Sequence, residues 1–185
     1  MGETKGYGPY GGRGGSPFLI TGIVTGFFGR SGAGLDAIGA YINAPITQLF
    51  GGDGGNPFAD PTLILIPSVV GFKSITIRSG EMVDSIQAVY ILANGATYTA
   101  DKHGGDGGQP HTINFENDET IIAIMGRSGT KVDQLTFLTQ NNLGYRNTYG
   151  PFGGNGQGGA GLRLAAQRAA RRMAPEGPQS GRRAD

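Results

Sequence analysis

The chain has 185 residues, a formal net charge of +1 and no cysteine. That length suffices for one domain with its own core, or for one domain and a tail. The near-neutral balance argues against a nucleic-acid-binding body, and the missing cysteines exclude disulfides, thiolate metal sites and cysteine nucleophiles.

Residues 1–6 form a short N-terminal extension without the apolar segment of a signal peptide. This fits a cytoplasmic protein, or a secreted one starting at its mature end. Glycine punctuates the whole chain, at 36 positions, against a usual share of about 7%. A first glycine cluster is Gly11-Gly12-Arg13-Gly14-Gly15. Pro17 to Thr25 then gives an apolar strand signal. Arg30-Ser31-Gly32-Ala33-Gly34-Leu35-Asp36 comes next, and after it Gly51-Gly52-Asp53-Gly54-Gly55. Ser74–Arg78 alternates apolar and polar residues, as a half-buried strand does. Then come Arg78-Ser79-Gly80-Glu81-Met82-Val83-Asp84, a strand signal at Ile86–Tyr90, and Gly104-Gly105-Asp106-Gly107-Gly108. Thr112–Phe115 and Ile121–Met125 read as further strands. Arg127-Ser128-Gly129-Thr130-Lys131-Val132-Asp133 leads into Leu135–Thr139, and a looser cluster runs from Gly153 to Gly159.

No stretch before Gly159 has helical periodicity, so the chain reads as all-β with many special turns. The run Leu162–Met173 is rich in Ala and Arg and reads as helix-prone, ended by Pro175. Glu176–Asp185 is polar and reads as disordered. Residues 160–185 are thus a solvated appendage, with no nucleic-acid partner expected. No apolar run is long enough to span a bilayer.

The dominant signal is the triple RSG-x-x-(apolar)-Asp, with aspartates 48 and 49 residues apart. Three units alternate this turn with a double-glycine loop. One unit alone cannot bury its apolar face, whereas three around an axis can. In the first copy Gly32 permits a tight reversal. Ala33 and Gly34 then present backbone N–H groups, Leu35 anchors the loop in the core, and Asp36 faces the same cleft. A carboxylate beside backbone donors complements vicinal sugar hydroxyls, each both donor and acceptor. The same reading applies to Gly80, Glu81, Met82, Val83 and Asp84, and to Gly129, Thr130, Lys131, Val132 and Asp133. The glycine loops would let backbone approach a ligand closely. An aspartate ending a turn also commonly bonds only its own backbone, so a purely structural β-repeat stays open. The three arginines fit a structural role, on a carboxylate or along the strand surface.

Rival chemistries find little support. His103 and His111 flank one loop only, which argues against a metal site. Asp53 and Asp106 faintly suggest calcium repeats, but they lack the tandem nine-residue period. One aspartate per repeat is a poor match to a two-carboxylate glycosidase. The expectation is a non-enzymatic protein without cofactor or metal, with a calcium-dependent module as a rival.

Residues 7–159 resemble the jacalin-related lectins, and in particular their three-site mannose-binding members. The resemblance rests on Tyr7-Gly8-Pro9-Tyr10-Gly11-Gly12, Phe50-Gly51-Gly52-x-Gly54-Gly55, His103-Gly104-Gly105, Leu135-Thr136-Phe137 and the three aspartate turns. It implies a β-prism I of three four-stranded Greek-key sheets about a pseudo-threefold axis. It also implies metal-free binding of mannose-containing glycans at up to three sites, and a homodimer as one assembly. Carried over, Asp36 works with Gly54 and Gly55, and Asp84 with Gly107 and Gly108. Asp133 works either with Gly14 and Gly15, if the chain closes on itself, or with the loop from Gly153. The opening Gly8-Pro9-Tyr10 recurs as Gly150-Pro151-Phe152, which suggests a circular permutation or a piece of a tandem array. The three-site members carry an aromatic at the third turn position. Here Gly34, Met82 and Lys131 stand there, which implies weaker binding.

Overall fold

The computed structural model describes residues 15–43, 48–60, 69–116 and 118–154. The segment from Tyr7 to Gly14 and the helix-prone tail lie outside these. Among the described residues there are thirteen strands and no helix. In chain order they are β1 (Ser16–Thr21), β2 (Val24–Ser31), β3 (Leu35–Ile42), β4 (Phe50–Gly51), β5 (Asn56–Ala59), β6 (Val69–Ser79), β7 (Val83–Leu92), β8 (Thr97–Thr99), β9 (His103–Gly104), β10 (Gln109–Asn114), β11 (Thr120–Ser128), β12 (Val132–Gln140) and β13 (Arg146–Gly153).

They pair into three antiparallel sheets with one topology. The first sheet runs β5-β2-β3-β4. The second runs β10-β6-β7, with β8 and β9 sharing the far edge of β7 at successive positions. In each, a hairpin is followed by a third strand beside the second and a fourth beside the first. This is the Greek key. The third sheet, β1-β11-β12-β13, repeats it. Its fourth strand, however, is β1, supplied from the start of the chain.

The apolar run Pro17–Thr25 is therefore not one strand. It breaks at Gly22, whose φ of 131° favours glycine, and β1 and β2 enter different sheets. The Gly22 N–H donates to the Ile122 carbonyl (3.0 Å), which fixes the corner.

Each sheet turns one face inward, as the period-2 pattern demands. In β6, Ile75 and Ile77 are fully buried while Thr76 and Arg78 are not. Every pair of sheets is in contact, through β2 and β6, β3 and β12, and β7 and β12. The three sheets thus form the faces of a prism around one core. Phe27 of β2 stands at its centre, with ring centroids 5.6 Å from Phe72 and 6.3 Å from Phe137. Each of these rings comes from a different sheet.

Candidate functional site

All three RSG segments close β-hairpins of the same kind. Ser31 pairs with Leu35, Ser79 with Val83, and Ser128 with Val132, leaving three-residue loops. Leu35, Val83 and Val132 are fully buried anchors. One residue further in, the register shifts. Arg30 pairs with Ala37, Arg78 with Ser85, and Arg127 with Gln134. Asp36, Asp84 and Asp133 are thus the extra residue of a β-bulge. A bulge removes one residue from the ladder and re-aims its side chain. That is how a carboxylate next to a core residue escapes the core and reaches the end of the prism.

Each carboxylate then meets glycines. A methyl group placed on Gly54 would lie 2.8 Å from Asp36 Oδ1, and one on Gly55 would lie 2.5 Å from Oδ2. A methyl on Gly108 would lie 2.6 Å from Asp84 Oδ2, and one on Gly107 or Gly15 would overlap Asp84 or Asp133. Gly55, Gly108 and Gly15 share positive φ values of 63°, 57° and 62°. Gly14 lies outside the described residues.

The arginines of the motif hold these loops by their carbonyls. Arg30 Nε donates to the Asp53 and Gly54 carbonyls (3.1 and 2.9 Å), and its Nη2 to that of Gly55 (2.7 Å). Arg78 does the same to Asp106, Gly107 and Gly108 (3.2, 2.9 and 2.9 Å). Arg127 Nη2 donates to Gly15 O (2.7 Å). In a trans peptide the N–H points opposite to the carbonyl. Pulling the loop carbonyls toward the arginine therefore turns the next N–H groups away from it, on the open side of the loop. The role is structural, as the sequence suggests, but the partner is backbone.

The third candidate site draws on two segments far apart in the sequence. Gly51 and Gly104 enter their loops beside the carbonyls of Asp36 and Asp84, and Gly153 stands likewise beside that of Asp133. Gly15 holds the place of Gly55 and Gly108. Both alternatives for Asp133 thus supply a glycine beside it, Gly15 at its carboxylate and Gly153 at its carbonyl.

The loops also interlock. Gly52 packs on the backbone of Thr130, Gly105 on that of Ala33, and Gly153 on that of Met82. The Gly154 N–H donates to Glu81 O (3.1 Å). Each loop thus rests on the turn of another unit, and all three candidate sites share one end of the prism.

Asp133 differs from its counterparts. Its Oδ2 is buried and makes no hydrogen bond. Burial raises the pKa of Asp133, and the nearby Arg127 charge only partly opposes this. A raised native pKa means the folded protein holds this proton more tightly than the unfolded chain. The stability contribution of this group is therefore present below the ordinary carboxylate pKa and lost as pH rises through the native value. Asp133→Asn is expected to raise the melting temperature at pH 7 and flatten its dependence on pH between the ordinary and raised values. Calorimetry across that range checks both.

His103 opens β9, next to Gly104, and its ring is engaged structurally. His103 Nε2 bonds Asp60 Oδ1 (2.7 Å), and its ring stacks on Phe58 at 3.8 Å. Buried Asp60 also accepts the Tyr90 hydroxyl. Burial first, and the Asp60 charge second, push the Tyr90 pKa far upward. This network ties the first sheet to the second, and the sequence carries no periodic signal for it. Asp106 pairs with Lys102. Among the described residues no three His, Cys, Asp or Glu side chains gather as metal ligands.

Three Greek keys around one core, with a bulged carboxylate facing a glycine loop on each, define a β-prism of the lectin type. The jacalin-like lectin domain matches residues 2–41 and 47–170, and the chain belongs to that family of non-enzymatic, carbohydrate-binding proteins. An agglutinin from Castanea crenata is 30% identical over 171 residues, covering 80% of this chain and 53% of its own length. Griffithsin from Griffithsia is 36% identical over 108 residues, covering 58% of this chain and 69% of its own. The chain thus spans about half of the Castanea agglutinin. Among solved structures, Malaysian banana lectin aligns with a TM-score of 0.56 at 20% identity, covering 72% of this chain and 95% of that one. A mannose-binding jacalin-related lectin from Ananas comosus aligns with the same score at 21% identity and the same coverage. These likenesses show the fold.

Proposed function

We propose that this domain binds mannose-type sugars without metal, at three sites, one per Greek key. The observation that carries this reading is the threefold recurrence of a bulged aspartate facing a positive-φ glycine, Gly55, Gly108 or Gly15, whose carbonyl an arginine holds. Each carboxylate would accept charge-assisted hydrogen bonds from two sugar hydroxyls. The outward N–H groups of the turn and loop would donate to the same oxygens. Among the relatives, a lectin from Parkia platycephala is named mannose/glucose-specific, which supports the choice of sugar. Open sites of this kind bind single sugars weakly. Three on one end of the prism would bind a branched mannose-containing glycan or glycoprotein together, gaining about 10²–10⁴-fold.

The test is titration calorimetry with methyl α-mannoside and mannobiose, with and without chelator. Chelator-indifferent binding with a stoichiometry near three is expected. Asp36→Ala and Asp84→Ala should each weaken one site about 10- to 100-fold, the worth of hydrogen bonds to a charged group, and leave the fold intact. Flat titrations with mannose, mannobiose and galactose would favour a structural module. Sensitivity to chelator would favour a calcium-dependent one.

A further inference from the structure

The three turns differ most at their last loop residue: Gly34, Met82 and Lys131. Gly34 leaves the first turn without a side chain, and a neighbour takes the space. The nearest heavy atoms to a methyl group placed on Gly34 would be Lys131 Nζ at 3.3 Å, Lys131 Cδ at 3.8 Å and the Val83 carbonyl at 3.8 Å. Lys131, from the third hairpin, thus leans across the end of the prism. Its ammonium stands where a first-turn side chain would begin, two residues from Asp36. Lys131 is half-buried, so its stem lies between the turns while the charge sits at the shared face.

The other described cations of this face have partners. Arg30 and Arg78 hold loop carbonyls, Arg127 holds that of Gly15, and Lys102 pairs with Asp106. Among the described residues no carboxylate, Asp53 on the first loop included, forms an ion pair with Lys131. The second site has no equivalent charge, since Met82 occupies the position and Glu81 beside it is anionic. Lys131 belongs to the third turn, but its ammonium, with three donors, stands at the lip of the first site.

We propose that Lys131 is a specificity residue of the first site, favouring a mannose-type sugar that carries a phosphate or sulfate over the neutral sugar. This rests on the reading of Asp36 and its glycine loop as a sugar site. A neutral hydroxyl gains little from an ammonium that water already solvates, whereas an anionic oxygen gains a charge-assisted bond. The preference should fall with salt, because the pair is near solvent.

The experiment is calorimetry at low ionic strength with methyl α-mannoside, mannose 6-phosphate and mannose 6-sulfate. For each protein it reads the ratio of anionic to neutral affinity. One site in three should prefer the anionic sugars, about 5-fold in the range of an exposed ion pair, and the ratio should approach one at ~0.5 M salt. Lys131→Gln should bring the ratio to one at low salt, and Lys131→Arg should keep it. Agreement of both anionic sugars assigns the effect to charge. A preference for one alone overturns a simple charge preference. A ratio of one in the unmodified protein, or a preference that survives Lys131→Gln, overturns the role of Lys131 while neutral binding upholds the site. Failure of the neutral sugar to bind at all overturns both.

Discussion

Truncating Phe27 to alanine is expected to cost about 3–5 kcal/mol of stability. Phe27 is fully buried on β2 and touches Phe72 of the second sheet and Phe137 of the third. A cavity at that point loosens all three faces of the prism at once. Flanking side chains cannot collapse into it without moving a sheet, because each is held by its ladder. A domain of this size has about 5–15 kcal/mol in all, so the variant should lie near the limit of folding. Urea unfolding should show a much lower midpoint with a similar slope. Leu19→Ala, at a side chain 56% exposed on β1, should change stability by about 0.5 kcal/mol or less. Similar results for the two variants would mean that the sheets do not share a core.

Gly108→Val is expected to remove the proposed second sugar site and to destabilise the domain by about 2 kcal/mol. Its φ of 57° is a conformation that a β-branched residue adopts only under strain. A side chain there would also meet Asp84 Oδ2 at 2.6 Å and overlap the Ser79 backbone. The loop must move away, and Arg78 then loses the carbonyls it holds. Titration with methyl α-mannoside should show two sites instead of three. Gly80→Ala, in the same site, tests the geometry: its methyl would lie 3.7 Å from Gly108 Cα, an ordinary contact. It should keep the fold and perturb the site much less. Equal losses for the two variants would count against the carboxylate-facing role of Gly108.

Much of this arrangement is legible in the sequence. The triple motif, its companion glycine loops and the alternation in Ser74–Arg78 all point to repeated β-units. The bulge at each aspartate is not legible, because a bulge is a relation between two strands. Arg30–Ala37 and Ser31–Leu35 show it only once they are paired. The partners of the arginines are hidden for a similar reason. Every residue but proline carries the same backbone groups, so Arg30 reaching the Gly55 carbonyl leaves no mark on residue choice. The break at Gly22 is visible only as one more glycine in a chain full of them. The third loop is legible only as two alternatives for Asp133, Gly11–Gly15 or the loop from Gly153. The pairing of β1 with β11 and of β12 with β13 brings Gly15 and Gly153 to the same aspartate.

The pairing of β1 with β11 has a kinetic consequence. The first two Greek keys close locally: Arg30 meets Gly55 over 25 residues, and Arg78 meets Gly108 over 30. The third closes between Gly15 and Arg127, over 112 residues. Two doublings of loop length add only about 1.2 kcal/mol to the closure entropy, but they raise the contact order on which folding rate depends. β1 is the first of the described strands to leave the ribosome and the last to find its neighbour. Until β11 exists, Phe18 and Ile20 have no sheet to cover them. The third sheet, and with it the third candidate site, is therefore completed last, by the first-made of the described strands.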